Sequence, residues 1–332
     1  MNNPTVTVCM PAYNSARFIA DAIESVLNQS FAGFELLIID DCSTDNTAEI
    51  ASYYAVRDSR IIFKVNDKNL GMVANWNLCL ETAQGKYIKY LFGDDVLSSN
   101  EAIQRMASVL DNDSTISIVA SGRNIIDAES NFLKRVSFFA DGTLVEGTHV
   151  ISRCLSVQRN LVGEPSVVMF RKSQAIRGFN AEYNQLVDLE MWFHLLEQGK
   201  YAHIGESLSS FREHPDQQTK KNVKNLVHLD ESFLLFKSYL DRPYVKLSRY
   251  TKKFLFYSQN YRIWKHFKKH EITRQQALAK ISAHCEPGRF LLLIPLYKIY
   301  NPLWKLRCLF GDLTARLTHT WQLKNVEKSK LR

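Results

Sequence analysis

The sequence predicts an α/β fold, a mostly parallel mixed sheet flanked by helices, followed by a helical region of different character. Over the first 120 residues, short apolar runs alternate with segments of helical period, the pattern of βα units. Two of those runs end in paired acids, Asp40–Asp41 and Asp94–Asp95, and parallel sheets bind ligands beyond the carboxyl ends of their strands. The charge is split: residues 221–332 carry 23 Lys and Arg against 7 Asp and Glu, whereas residues 1–220 carry 19 against 27. The overall +8 is thus a −8 region joined to a +16 one, which predicts two domains, 1–220 and 221–332.

"VTVCM" (6–10) reads as the first strand. Phe18, Ile19, Ala22, Ile23, Val26 and Leu27 then recur at helical spacing, and "ELLIID" (35–40) reads as the second strand. In "STDNT", Ser43 or Thr44 is the expected N-cap of a helix through Ile50 and Tyr54. "RIIFKV" (60–65), a helix over 71–83, a strand over 87–92 and a helix over 99–110 continue the alternation. The pattern weakens from 130 to 160, where "FFADGTLVEG" (138–147) predicts a hairpin turning at Asp141–Gly142. A strand "SVVMF" (166–170), a helix over 187–198 and a strand pair around 201–212 follow, and beyond 221 the chain reads as helical, basic and aromatic.

Several classes are excluded. The six cysteines, at 9, 42, 79, 154, 285 and 308, form no C-x-x-C pair and no metal-ligand spacing, so a reducing compartment fits best. The chain opens without a basic and apolar leader, and the best apolar run, "FLLLIPLY" (290–297), is far below the roughly 20 residues of a spanning helix. Neither G-x-G-x-x-G nor G-x-x-x-x-G-K-[ST] occurs, which argues against a dinucleotide-binding Rossmann protein and a P-loop NTPase.

P-A-Y-N after the first strand, S-V-L-N-Q-S, I-D-D-C-S-T-D-N-T, G-K-Y-I before G-D-D-V-L, V-D-L-E-M-W-F-H-L-L-E-Q-G and F-R-E-H form an ordered set over residues 5 to 216. The set resembles family 2 glycosyltransferases of the bacterial cell-surface polysaccharide type, inverting enzymes with the nucleotide-sugar-binding GT-A fold. The resemblance implies a UDP-sugar or dTDP-sugar donor, with Pro11, Ala12, Tyr13 and Asn14 along base and ribose and Asp41 accepting from the imide N–H of uracil or thymine. A departing diphosphate suits a hard cation, Mn²⁺ or Mg²⁺, for which Asp95 is the expected ligand, with Asp94 receiving the ribose hydroxyls. His214 matches a histidine that contributes a metal or diphosphate contact, and Arg212 is positioned to neutralise phosphate. Asp188 matches the base that takes the acceptor's proton, with Glu190 as the alternative. Val187 stands where the family carries an acid, and "NWN" (75–77) lacks the arginine common beside its asparagine.

The C-terminal stretches 248–270 and 289–310 mix cations with Tyr, Phe and Trp, which suits adsorption to an anionic membrane surface at the inner face of the cytoplasmic membrane. The acceptor expected there is a glycan or a lipid-linked saccharide. Packing of these helices on the first domain or in a homodimer is the alternative, and no nucleic-acid motif is present. A nucleotidyltransferase on a related fold and a non-catalytic nucleotide-sugar or glycan binder are the rival functions; "PAYNSARF" lacks the glycine-rich loop of the former.

Overall fold

The computed structural model describes residues 4–217, 222, 227–269, 271–282 and scattered positions from 285 to 298. The described chain forms two compact units. One runs to Ile151 and resumes over Asn160–Glu231; the other takes Ser152–Arg159 and the described residues from Ser232 onward.

The first unit opens with β1 (Val6–Ala12), α1 (Ile19–Leu27), β2 (Phe34–Asp40), α2 (Thr47–Ala55), β3 (Ile61–Val65), α3 (Met72–Thr82) and β4 (Tyr87–Tyr90). It continues through β5 (Val96–Leu97), α4 (Ala102–Asn112), β6 (Ile116–Ile126), β7 (Phe132–Val136), β8 (Thr143–Glu146) and α5 (Gly147–Val157). Then come β9 (Val168–Arg171), α6 (Val187–Leu196) and β10 (Lys200–Arg212). The sheet order is β3-β2-β1-β4-β9-β6-β10-β5, with β7 on β6 and β8 on β10. β3, β2, β1 and β4 run parallel, and β9 is antiparallel to both β4 and β6. The mixed sheet flanked by helices follows the expectation, but it is less parallel than expected: four of its strand pairings are parallel and five antiparallel.

β2 is buried at every residue, as its unbroken apolar run requires of a strand covered on both faces. On one face Ile19, Ile23 and Val26 of α1 and Ile103, Met106 and Leu110 of α4 close over Val6, Val8 and Met10. Their 3–4-residue spacing gives each helix one apolar stripe, and each buried Ile or Val stabilises by about 1.5–3 kcal/mol.

Four local expectations change. Neither Ser43 nor Thr44 caps α2: Ser43 N donates to Asp40 Oδ2, Thr44 N donates to Asn14 Oδ1, and Asp45 Oδ1 accepts from Thr47 N at 3.0 Å. The hairpin at 138–147 does not form. Gly142 does turn the chain with φ +69°, but β8 pairs with Lys200–His203 of β10, while β7 pairs with β6. The strand pair around 201–212 is one 13-residue strand, β10, with register shifts between Ile204 and Ser209. The two-residue β5, the long strand β6, β7 and α5 have no counterpart in the sequence reading.

The helical C-terminal region consists of α7 (Val227–Tyr239), α8 (Arg249–Lys268) and α9 (Arg274–Ser282). Ser248 caps α8 by accepting from Thr251 N at 3.1 Å. The aromatic residues expected at a membrane interface pack internally in part: Tyr257 stacks on Phe290 at 5.0 Å and Tyr261 meets Tyr297 at 4.4 Å. Most of 289–310 lies outside the described residues. Among the described residues no helix is long and apolar enough to cross a membrane.

Candidate active site

β1 is the axis of the site, because β2 and β4 flank it and both acid pairs follow their carboxyl ends. Those ends stand two strand spacings apart, about 10 Å. Pro11 and Ala12 are the last ladder residues of β1, opposite Ile39 and Asp40, and Tyr13, 51% exposed, projects past them. Asn14 adopts φ +50° and interlocks with the loop after β2: its N–H donates to Ser43 Oγ at 2.9 Å, and its Oδ1 accepts from Thr44 N at 2.9 Å. Ser15 N–H donates to Thr47 Oγ1 and Ala16 N–H to Asp45 Oδ2. Burial alone raises the Asp45 carboxyl, yet the hydrogen bonds from Thr47 and Ala16 together hold it below the usual carboxylate range. The two loops thus form one wall at the mouth of β1.

The first acid pair is enclosed. Asp40 accepts from Ser43 N and Oγ. Asp41, 3% exposed, accepts from Asn66 Nδ2 and Leu70 N at 2.8 Å and from Gly71 N at 2.9 Å. Gly71 reaches that position with φ +87°, a conformation open to glycine. The residue expected to read the base is therefore also the anchor of the 66–71 loop.

The second pair differs in each member. Asp94 is partly exposed and its Oδ2 lies 3.1 Å from His214 Nε2, so the histidine meets Asp94 rather than the expected Asp95. Asp95 is fully buried: its Oδ1 accepts from Arg212 N at 3.0 Å and its Oδ2 has no hydrogen-bond partner. Burial, and then the neighbouring Asp94, push the Asp95 carboxyl well above its ordinary value. Arg212, 1% exposed, departs from its expected phosphate role. Its guanidinium donates to Asp94 O at 2.8 Å and Ser130 Oγ at 2.7 Å, pairs with Asp21 at 3.3 Å and lies 4.7 Å over the Phe18 ring. It is a buried brace between the site and the β6–β7 turn.

Among the described residues no three His, Cys, Asp or Glu side chains converge into a ready metal cage. A cation that also grips a diphosphate needs only one or two carboxylates from the protein. The accessible Asp94 carboxylate, the adjacent imidazole and the orphaned oxygen of Asp95 fit such an ion.

Asp188 sits in the first turn of α6. Its Oδ2 accepts from Asn160 Nδ2 at 3.2 Å and its Oδ1 from Leu189 N at 2.7 Å. Burial pushes it up to about 7, with Glu164 and Glu231 adding to the rise and the Leu189 N–H opposing it. Glu164 also raises Asp95, so it lies within electrostatic reach of both carboxylates, and Arg123 balances it at 2.8 Å. The loop bearing Asn160 and Glu164 is held over α6 by Trp192 Nε1 donating to Gly163 O at 3.0 Å. Glu190 is spent on Arg177 at 2.8 Å.

Sequence reasoning missed Asn160, Glu164, Arg123 and Lys89. Lys89 was visible as a lone cation inside the apolar run "YIKYLF". Its ammonium is fully buried against Ser166 O, and burial lowers it to about 7 while Asp95 pulls it back up. The others belong to no local pattern.

A sequence profile of glycosyl transferase family 2 matches residues 7–176, just over half of the chain, so the chain belongs to that family and is a glycosyltransferase. The match contains Asp41, Asp94 and Asp95 and stops before Asp188 and His214. The protein described as glycosyltransferase EpsE of Bacillus subtilis is 29% identical over 71% of this chain and 82% of its own length. TuaG of the same organism, described as a teichuronic acid biosynthesis glycosyltransferase, is 28% identical over 63% and 79%. Among solved structures, S. aureus TarS 1–349 superposes with a TM-score of 0.58 at 17% identity, over 82% of this chain and 74% of that one, and has also been solved with UDP-GlcNAc. The mannosyltransferase PcManGT of Pyrobaculum calidifontis, in complex with GDP-Man and Mn²⁺, gives 0.55 at 16% over 96% and 88%. These likenesses share the GT-A fold.

Proposed function

We propose that this chain transfers a sugar, with inversion, from a UDP-sugar or dTDP-sugar to a glycan or lipid-linked saccharide during assembly of a cell-surface polysaccharide. The observation that carries the reading is the partly exposed Asp94 carboxylate paired with the buried His214 at 3.1 Å, two strands from Asp41 across the mouth of β1. TarS bound to UDP-GlcNAc and TuaG's place in teichuronic acid synthesis support the donor and the product class.

In this reading Asp94 and His214, with the unpaired oxygen of Asp95, would hold Mn²⁺ or Mg²⁺. The cation supplies Lewis-acid neutralisation of the departing diphosphate. Tyr13 and Asn14 line the nucleoside, and Asp41 offers its remaining lone pairs to the imide N–H. Asp188 takes the acceptor's proton; a carboxyl near 7 is half ionised at neutral pH and basic enough to accept it. Asn160 orients the carboxylate through Oδ2. The basic region from residue 221 holds the enzyme at the inner membrane face, near a lipid-linked acceptor.

A thermal-shift panel of UDP-, dTDP-, GDP- and CDP-sugars, each with and without Mn²⁺, tests the proposal. Ligands that bind the native state raise its melting temperature. The expected result is a metal-dependent rise confined to uridine or thymidine donors; a rise with GDP-sugars alone removes the nucleoside assignment, and metal-independent shifts remove the Asp94–His214 assignment.

A further inference from the structure

The entry to α6 is gripped from a distant part of the chain. Glu231, near the start of α7 and 6% exposed, accepts from three consecutive backbone N–H groups: Asn184 at 2.7 Å, Gln185 at 2.8 Å and Leu186 at 2.8 Å. Leu186 is the residue immediately before α6, and Asp188 lies in the first turn beyond it. No side chain within the 184–186 segment itself caps this helix. The carboxylate therefore satisfies donors that a helix entry would otherwise leave to water, and it fixes the direction in which the first turn departs.

The geometry points to Glu231 as a positioning residue for Asp188, locking the entry of α6 so that the base keeps both its place and its charge environment. This rests on Asp188 being the base. Three carboxylates and two guanidiniums surround Asp188. Glu164, paired with Arg123, and Glu231 raise Asp188, while Glu190 on the same helix is neutralised by Arg177. Of the two acids that raise Asp188, Glu231 alone is bonded to the backbone from which Asp188 springs. A clamp that served the fold alone would leave kcat unchanged when its oxygens are withdrawn with the charge kept; a positioning residue lowers it, and its charge is read separately from the titration of Asp188.

The test uses the full chain with aspartate labelled at ¹³Cγ, the Asp188 signal being assigned by its absence in Asp188→Asn. In Glu231→Gln a like charge is removed, so the Asp188 midpoint should fall by roughly half a unit or more. In parallel, kcat for Mn²⁺-dependent hydrolysis of the UDP-sugar giving the largest thermal shift should drop with KM unchanged. Glu231→Asp keeps the charge but withdraws its oxygens by one methylene, so kcat should drop while the midpoint stays near its native value. An unmoved midpoint in Glu231→Gln, with kcat intact in both variants, overturns the inference. Full turnover in Asp188→Asn would instead remove the base assignment, and the NMR midpoint reports on Glu231 whether or not that happens.

Discussion

Two pairs of adjacent aspartates follow the strands on either side of β1, yet one pair is closed by the protein and the other is left partly open. The oxygens of Asp41 meet Asn66, Leu70 and Gly71, and those of Asp40 meet Ser43. Among the described residues the Asp94 carboxylate pairs with the histidine, and one buried oxygen of Asp95 has no hydrogen-bond partner. Residue type and place in the topology are the same. What differs is the chain that follows: the 66–71 loop folds its backbone donors back over Asp41, whereas the chain after Asp95 goes on into β5. A carboxylate supplied with donors by its own fold also anchors that fold; one left with an unpaired oxygen costs free energy until a ligand compensates it.

The sharpest way to break this contrast is to substitute one member of each pair. Asp94→Ala should lower turnover by roughly 10²–10³-fold, the scale of losing one preorganised electrostatic contact to a transition state, while the melting temperature stays near native. Asp41→Ala should instead destabilise, by about 2–4 kcal/mol in denaturant unfolding, because buried donors lose their acceptor, and should weaken donor binding as well. Equal stability losses in the two variants would erase the distinction.

Asp188 sharpens the comparison, since the proposed mechanism makes it the base although Asn160 and Leu189 supply it with donors, and its burial is costly to the fold. Burial holds it at about 7 in the native chain, against roughly 3.9 when unfolded. The native state therefore keeps the extra proton between those values. The resulting stabilisation is full below about pH 4 and lost as pH rises through 7, whereas base catalysis is gained over the upper part of that range. The acid limb of kcat/KM should fall tenfold per pH unit below about 7. Asp188→Asn should be inactive and, at about pH 8, more stable than wild type by about 1–2 kcal/mol in thermal unfolding, with the gap closing toward about pH 5.

Much of this was legible in the sequence where local chemistry decides. The alternation through residue 112 gave every helix and, β5 aside, every strand of that segment, because each element announces its own period. The stretch from 130 to 160 was not legible. β7 is exposed at four of its five residues, and β8 pairs with residues near 200, so neither strand carries an internal signal of its partner. Asp141–Gly142 marked a true turn and still misled about the pairing, which is set by β10. In the site, the acid pairs were readable as motifs. The burial that separates Asp95 from Asp94, and the enclosure of Arg212, arise from contacts more than 80 residues apart.

The smallest effect lies in the wall between the two pairs, where two non-glycine residues adopt left-handed backbone conformations. Cys42 has φ +60° and Asn14 has φ +50°. A β-carbon in that region costs about 1–2 kcal/mol, while glycine costs about 0.5–1 kcal/mol in unfolded-state entropy. Among the described residues the free, exposed Cys42 thiol has no hydrogen bond that would offset the strain. Cys42→Gly should thus stabilise the protein by about 0.5–1 kcal/mol, read as a rise in melting temperature. Asn14→Gly should go the other way by about 1 kcal/mol: asparagine tolerates the conformation, and its Oδ1 is the acceptor for Thr44 N that ties the two loops together. Opposite signs at two positions of like backbone would show that this wall is held by its side-chain hydrogen bonds rather than by its turn geometry; equal signs would mean the converse.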